Sequence, residues 1–169
     1  AAKVFQRLGC SVAHFPLKAL HYAAAVYIII SSAEASSNLG RFDGVRCGTR
    51  AENYEDLFSL YENTRAEGFG EEVRRRIMLG TFVLSSENYD RYYRSALKAR
   101  ALIRNEFQKA FGRFDLILCA GASKTAPKLG EEMHDSVKRY KGDVNTVCAN
   151  LVGLPALVMP CGLDLDGLP

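Results

Sequence analysis

The 169-residue sequence contains no Cys-x-x-Cys pair, no Gly-x-Ser-x-Gly elbow, no internal repeat and no low-complexity tract. Its five cysteines, Cys10, Cys47, Cys119, Cys148 and Cys161, are odd in number and scattered. That excludes a disulfide framework or a cysteine zinc site as the organising principle and points to a reducing compartment. The longest apolar run, Ala23 to Ile30, is too short to span a bilayer, and the chain opens with no signal-peptide pattern. Net charge is only +3, which gives no electrostatic case for a nucleic acid or a membrane surface.

What is present is an ordinary globular composition, 48% hydrophobic and 24% charged, long enough to bury a core. Both ends read as interrupted. The chain starts Ala-Ala-Lys inside a helical pattern, and it closes on an Asp-Gly turn signal, Asp166-Gly167, without the second strand a hairpin needs. The expectation is a piece of a longer protein, and a fragment of poor stability in isolation.

Hydrophobic periodicity predicts helices over 1–9, 19–39, about 53–67 with Asn53 as N-cap, 71–84, 87–111 and around 134–152. The 19–39 segment is apolar on most sides and is expected to be buried, with Gly40 ending it. Short strands are predicted at Ser11 to Phe15, Asp115 to Cys119 and Leu157 to Pro160, the last two of the kind buried on both faces. Helices alternating with buried strands make the expected class α/β.

Several constellations have ordinary explanations. Gly121-Ala122-Ser123-Lys124-Thr125 lacks the glycines of a phosphate loop, and Pro127 opposes the helix that should follow. Glu131 and His134 have the Glu-x-x-His spacing of a carboxylate-bridged metal centre, but no second copy exists. Ser31, Ser32, Ser36 and Ser37 lack a companion base and read as small residues permitting close helix packing.

Arg74-Arg75-Arg76 is different. Three consecutive helical residues fan through about 200°, so beside Val73 and Ile77 one arginine must turn towards the protein and requires a carboxylate, its own or a ligand's. Arg76 is the candidate. Asp143, after Gly142, reads as a helix N-cap, and Tyr27 as a core tyrosine.

Beyond these residue-level readings, a set of blocks resembles one family. Ala33-Glu34-Ala35-Ser36-Ser37-Asn38-Leu39, Arg41-Phe42-Asp43-Gly44, Glu67-Gly68-Phe69-Gly70, Arg75-Arg76-Ile77 with Leu79-Gly80-Thr81-Phe82, Tyr89-Asp90 with Tyr92-Tyr93, Gly153-Leu154-Pro155 and Pro160-Cys161-Gly162 resemble, in order and spacing, the amidase-signature family. Within it they resemble the A subunits of glutamyl-tRNA(Gln) amidotransferases.

The resemblance implies a mixed β-sheet flanked by helices on both faces, with residues 1–169 a single partial domain, the C-terminal half of the amidase-signature domain. It implies glutamine hydrolysis by a serine nucleophile, a second serine on a cis peptide and a lysine, none of which has a matching stretch here. The released ammonia would pass to a B subunit that uses ATP and Mg to amidate charged tRNA, a C subunit completing the complex. By the aligned blocks, Tyr27, Arg76 and Asp143 fall on the family's glutamine-binding positions, and no metal site is implied in this chain. Compartment is expected to be the bacterial cytoplasm, with mitochondrion or chloroplast as alternatives. Two rival functions remain open at this level: hydrolysis of another amide, and a non-catalytic module that docks partner subunits.

Overall fold

A computed structural model describes residues 1–122, 124–130 and 145–169. The elements, in chain order, are α1 (Ala2–Arg7), a 3₁₀ turn (Lys18–Tyr22), α2 (Ala23–Leu39), α3 (Leu57–Gly68), α4 (Glu71–Leu84), a π-helical segment (Tyr89–Arg94), α5 (Ser95–Phe111) and α6 (Val147–Val152). They fall into two compact units, one of Ala1–Tyr27 with Lys98–Pro169 and one of Ile28–Leu97, so both α2 and α5 run across the division.

Among the described residues there is no strand, which overturns the expected α/β class and its mixed sheet. The physical reason lies in the apolar runs themselves. A strand is stable only when a neighbour takes up its N–H and C=O groups. The 115–119 and 157–160 runs form no ladder, and Leu116, Leu118, Leu157 and Val158 are exposed where burial on both faces was expected. Ser11 to Phe15 is likewise irregular.

In the first unit, α5 supplies the interior with Ile103, Phe107 and Ala110, and α6 with Val147, Cys148, Leu151 and Val152. Arg100 Nε donates to Leu151 O at 2.6 Å, satisfying a carbonyl that the end of α6 leaves unpaired. At the other end of the unit, Glu106 Oε2 accepts from Ala19 N at 2.9 Å and so anchors the 3₁₀ turn. Phe15 meets Phe114 edge-on at 5.7 Å.

The second unit is organised by one close helix crossing. A Cβ added to Gly80 of α4 would overlap Ser32 O and lie 2.6 Å from Ser36 Cβ of α2. Ser32 is 1% exposed, and Ser36 Oγ pairs with Thr81 Oγ1 at 3.0 Å. The serine-alanine stretch is therefore the seat of a backbone-to-backbone approach, as its small residues suggested. Burial on α2 follows Ala23, Val26, Ile30 and Ala33, one face at spacings of three and four, whereas Glu34, Ser37 and Asn38 face water. That corrects the expectation of a helix buried on most sides.

Helix α4 has the bounds read from the sequence. Helix α3 starts at Leu57 rather than near Asn53: Asp56 is the N-cap, its carboxylate accepting from Ser59 N while Ser59 Oγ accepts in return from the Asp56 N–H. The reciprocal pair is a capping box, and it sets the start of the helix. The 87–111 periodicity is correct for α5, but its first part is π-helical, with Tyr89 against Tyr93 at 5.3 Å and Tyr92 against Phe82 at 5.7 Å.

The 40–51 loop is tied down by its own chemistry. Asp43 Oδ1 accepts from Val45 N at 2.8 Å and Arg46 N at 3.1 Å. Gly44 has φ +75, and a Cβ there would strike Thr64 Oγ1 at 2.6 Å, the same oxygen that accepts from Ala51 N at 3.1 Å. Thus the Asp-Gly pair makes the turn and clears the way for Thr64 to hold the far end of the loop.

Two outcomes follow from this packing. Gly80→Ala forces a methyl into a carbonyl that cannot move alone, so urea unfolding should show a loss of about 1–3 kcal/mol or more. Gly112→Ala, whose Cβ would meet nothing nearer than 3.5 Å, should lie within about 0.5 kcal/mol of the parent. A Gly80→Ala chain as stable as the parent would refute the crossing. The amides of Val45 and Arg46 hold the Asp43 carboxylate below its usual range. With the folded value depressed, the turn's contribution is complete above the usual carboxylate value and disappears as pH falls through the lowered one. NMR titration of the Val45 and Arg46 amides should therefore give a midpoint below about 3.9; a midpoint at or above that would contradict the turn.

Candidate functional site

Arg76 sits on α4, and its side chain is 29% exposed, against 42% for Arg75; Arg74 also faces water. Of the three arginines it is the one turned towards the protein. Its Nε donates to Glu72 Oε1 at 3.0 Å, while Arg75 Nη2 pairs with Glu72 Oε2. One carboxylate thus serves two guanidinium groups, one turn along the same helix. Of these two cations Arg76 is the more covered. Such a half-buried cation with a planar fork is suited to a ligand carboxylate.

Sequence reasoning required a carboxylate for Arg76 but did not identify Glu72. The signal was available: Glu72 precedes Arg75 by three and Arg76 by four, the two helical spacings that bring side chains together, with the acid on the N-terminal side.

Tyr27 is half-buried near the start of α2, next to the buried Val26. It belongs to the first compact unit and Arg76 to the second. Asp143 lies outside the described residues, as do Glu131, His134 and Ser123. Among the described residues, Arg76 is brought together with Glu72 within the second unit.

Within the second unit a cleft of about 250 Å³ is lined by Phe42, Gly48, Thr49, Thr64, Gly68 and Phe69. Arg65 frames it. Its Nη1 donates to Leu39 O at 3.0 Å and Phe42 O at 3.2 Å, and its guanidinium lies 5.0 Å from the Phe69 ring centroid. A cation on the exposed carbonyls at the end of α2 is favourable both as a cap and against the helix dipole. With its charge engaged in this way, Arg65 builds the cleft wall and fixes the start of the 40–51 loop.

The serines do no nucleophilic chemistry in this arrangement: Ser31 Oγ donates to Ile28 O, Ser32 is buried at the crossing, and Ser36 is paired with Thr81. Cys148 is not an activated thiol either. Burial pushes its pKa up, and nearby Cys119 adds to the shift, the opposite of what a nucleophilic cysteine needs. No helix among the described residues is long and apolar enough to cross a membrane.

Comparison with known proteins agrees with the motif blocks. Over its whole length the chain is 53% identical to the glutamyl-tRNA(Gln) amidotransferase A subunit of Lachnospira eligens, 35% of which it covers. It is 51% identical to the protein of the same name from Agathobacter rectalis and 50% identical to that from Caldanaerobacter subterraneus subsp. tengcongensis, covering 34% of each. The chain thus spans about a third of the length of the curated relatives it matches. Residues 1–169 match the family described as Amidase from end to end, and the chain belongs to that family.

Proposed function

We propose that this chain is the glutamine-binding part of the glutaminase component, the A subunit, of a glutamyl-tRNA(Gln) amidotransferase. The observation that carries the proposal is the 50–53% identity, extending over all 169 residues, to relatives bearing that name. The geometry that supports it is Arg76, a half-buried guanidinium sharing one carboxylate with Arg75.

Free glutamine presents an α-carboxylate and an α-ammonium at one end and the scissile amide at the other. Arg76 would take the carboxylate as a two-pronged partner, Asp143 the ammonium, and Tyr27 would form part of the pocket wall. Binding energy gathered at the charged end positions the amide without touching it. A hydrolase of simple amides has no use for such a pair, because its substrate carries neither α-charge.

The serine nucleophile, the second serine and the lysine would lie in the part of the protein not represented in these 169 residues, which form the C-terminal half of one amidase-signature domain. Ammonia released there would be consumed by a B subunit, with ATP and Mg, to convert Glu-tRNA(Gln) to Gln-tRNA(Gln), and a C subunit would complete the assembly. The setting proposed is the bacterial cytoplasm, and the relatives named above come from bacteria.

The test is Arg76→Ala in the full-length protein within its complex. Leaving a charge of the substrate unpaired should cost about 2–5 kcal/mol in kcat/KM for glutamine, at least about thirtyfold. Amidation of Glu-tRNA(Gln) with ammonium chloride in place of glutamine should be unchanged, since it bypasses the pocket. Glutamine hydrolysis at the parent rate in the variant would overturn the assignment.

A further inference from the structure

Residues 40–51 and the cleft beside them carry a step that goes beyond the glutamine pocket. We infer that this loop is a contact surface for single-stranded RNA, in which Arg41, Arg46 and Arg50 meet phosphates and the Phe42 ring receives a base. That the strand is RNA rests on the proposed amidotransferase reading, whose substrate is a tRNA.

The charge is local. The whole chain is only +3, yet residues 40–51 hold three arginines and a single aspartate. All three arginines are exposed, and among the described residues none of them has an ion-pair partner. The one acid of the loop is engaged by its own backbone, since Asp43 Oδ1 accepts from the amides of Val45 and Arg46. Arg41 Nε donates to Asn38 O at 3.1 Å and Arg50 Nη2 to Tyr54 Oη at 2.8 Å. Both acceptors are uncharged, so the positive charge of each guanidinium persists. Arg46 makes no side-chain hydrogen bond among the described residues. Glu52 and Glu55, which follow the loop, line a separate open hollow. Arginines without acids in one short loop suit a row of phosphates, each of which a guanidinium fork can meet through two nitrogens.

The path of the loop collects these groups around one cleft. Gly44 N donates to Cys47 O at 3.2 Å, and a Cβ on Gly48 would lie 3.1 Å from Phe42 Cδ1. The second half of the loop therefore returns against Phe42. Arg41 adjoins Phe42 in sequence, Arg46 sits in the turn, and Arg50 follows Thr49 of the cleft wall. At about 250 Å³ the cleft is smaller than the roughly 300–1,000 Å³ of pockets for drug-sized ligands, which suits one planar ring. Phe42 is 36% exposed and meets Phe69 edge-on at 6.3 Å, leaving ring surface on which a base can stack. An aromatic platform beside cations is how single strands are held, bases on rings and backbone on positive charge. An acidic protein segment would use the arginines but not the ring.

The probe is a fluorescein-labelled oligouridylate of about ten nucleotides, titrated into the full-length protein at several salt concentrations. The parent should bind, with log K falling linearly against log salt. Arg46→Ala should lower that slope by about 0.7 and weaken binding about fourfold near physiological salt, and Arg46→Lys should restore the slope. Phe42→Leu keeps an apolar side chain against Gly48 but removes the ring; it should weaken binding at least about fivefold with the slope unchanged. In the complex, with ammonium chloride as nitrogen donor, Arg46→Ala should raise the KM for Glu-tRNA(Gln) about fourfold and leave the KM for glutamine in the glutaminase reaction unchanged.

No binding by the parent, a slope that Arg46→Ala leaves unchanged, or an unchanged KM for the tRNA would overturn the inference. So would a glutamate peptide of equal charge binding as tightly as the oligonucleotide, with Phe42→Leu affecting neither, the result expected of a surface for an acidic protein segment. A complex unable to amidate Glu-tRNA(Gln) at all would refute the amidotransferase reading, and the oligonucleotide titration would still decide this one.

Discussion

The 28–97 unit depends on the absence of a side chain at residue 80. With hydrogen in place of a methyl, the α4 backbone comes so close to α2 that a Cβ would overlap the Ser32 carbonyl. Few sequences permit that approach, and those that do must be small on both helices; Ser32, Ala33 and Ser36 on α2 meet the condition. The crossing then sets where the rest of α4 can be. Arg76 lies four residues before Gly80 and Glu72 four before Arg76, so all three share a stripe of the helix. A shift or rotation of α4 at Gly80 therefore moves Arg76 and its partner with it. The link from packing to charge is geometric: a contact among small residues determines where the Arg76 guanidinium lies.

The loop after α2 extends the same constraint. Arg65 grips the last carbonyls of α2 and the start of the loop, and Thr64, its neighbour in sequence, holds the loop's far end through Ala51 N. Two adjacent residues of α3 thus fasten both ends of a segment that has no regular structure of its own. Such a segment retains an open conformation only if its backbone polar groups have partners, and here side chains of Asp43, Thr64 and Arg65 supply them. The cleft between Phe42 and Phe69 follows from that fastening rather than from hydrophobic collapse, since Phe42 remains exposed at its rim.

Much of this was legible in the sequence where the information is local. Gly40 ends α2, α4 keeps its expected bounds, and the apolar periodicity expected over 87–111 matches the buried side of α5, where Ala96, Ile103, Phe107 and Ala110 follow at seven, four and three residues. What escaped depends on reciprocity or on partners distant in sequence. Asn53 is the cap expected from the sequence, and only the reciprocal hydrogen bonds with Ser59 show that Asp56 takes that place. The π-helical turn at Tyr89–Arg94 leaves no trace in apolar spacing, because its aromatic contacts are with one another and with Phe82. The strand expectations went wrong for a related reason: Leu116 and Val158 are strand-like residues, but a strand is a property of a pair of segments. Arg76 was legible from the fan of three arginines, yet Glu72 required attention to polar i,i+4 pairs as well as apolar ones. Tyr27 could be placed as an inward-leaning helical tyrosine, and nothing local to it specifies a ligand.

The surroundings of Arg76 show why a largely covered arginine needs a carboxylate. An unpaired guanidinium that is about seven-tenths covered would carry a heavy desolvation penalty before any ligand arrived. Full pairing would remove that penalty and also the attraction for a second carboxylate. Sharing Glu72 between Arg75 and Arg76 avoids the first of these limits, because each of the two cations then has a hydrogen-bonded acceptor one turn away on its own helix, and neither is covered without one.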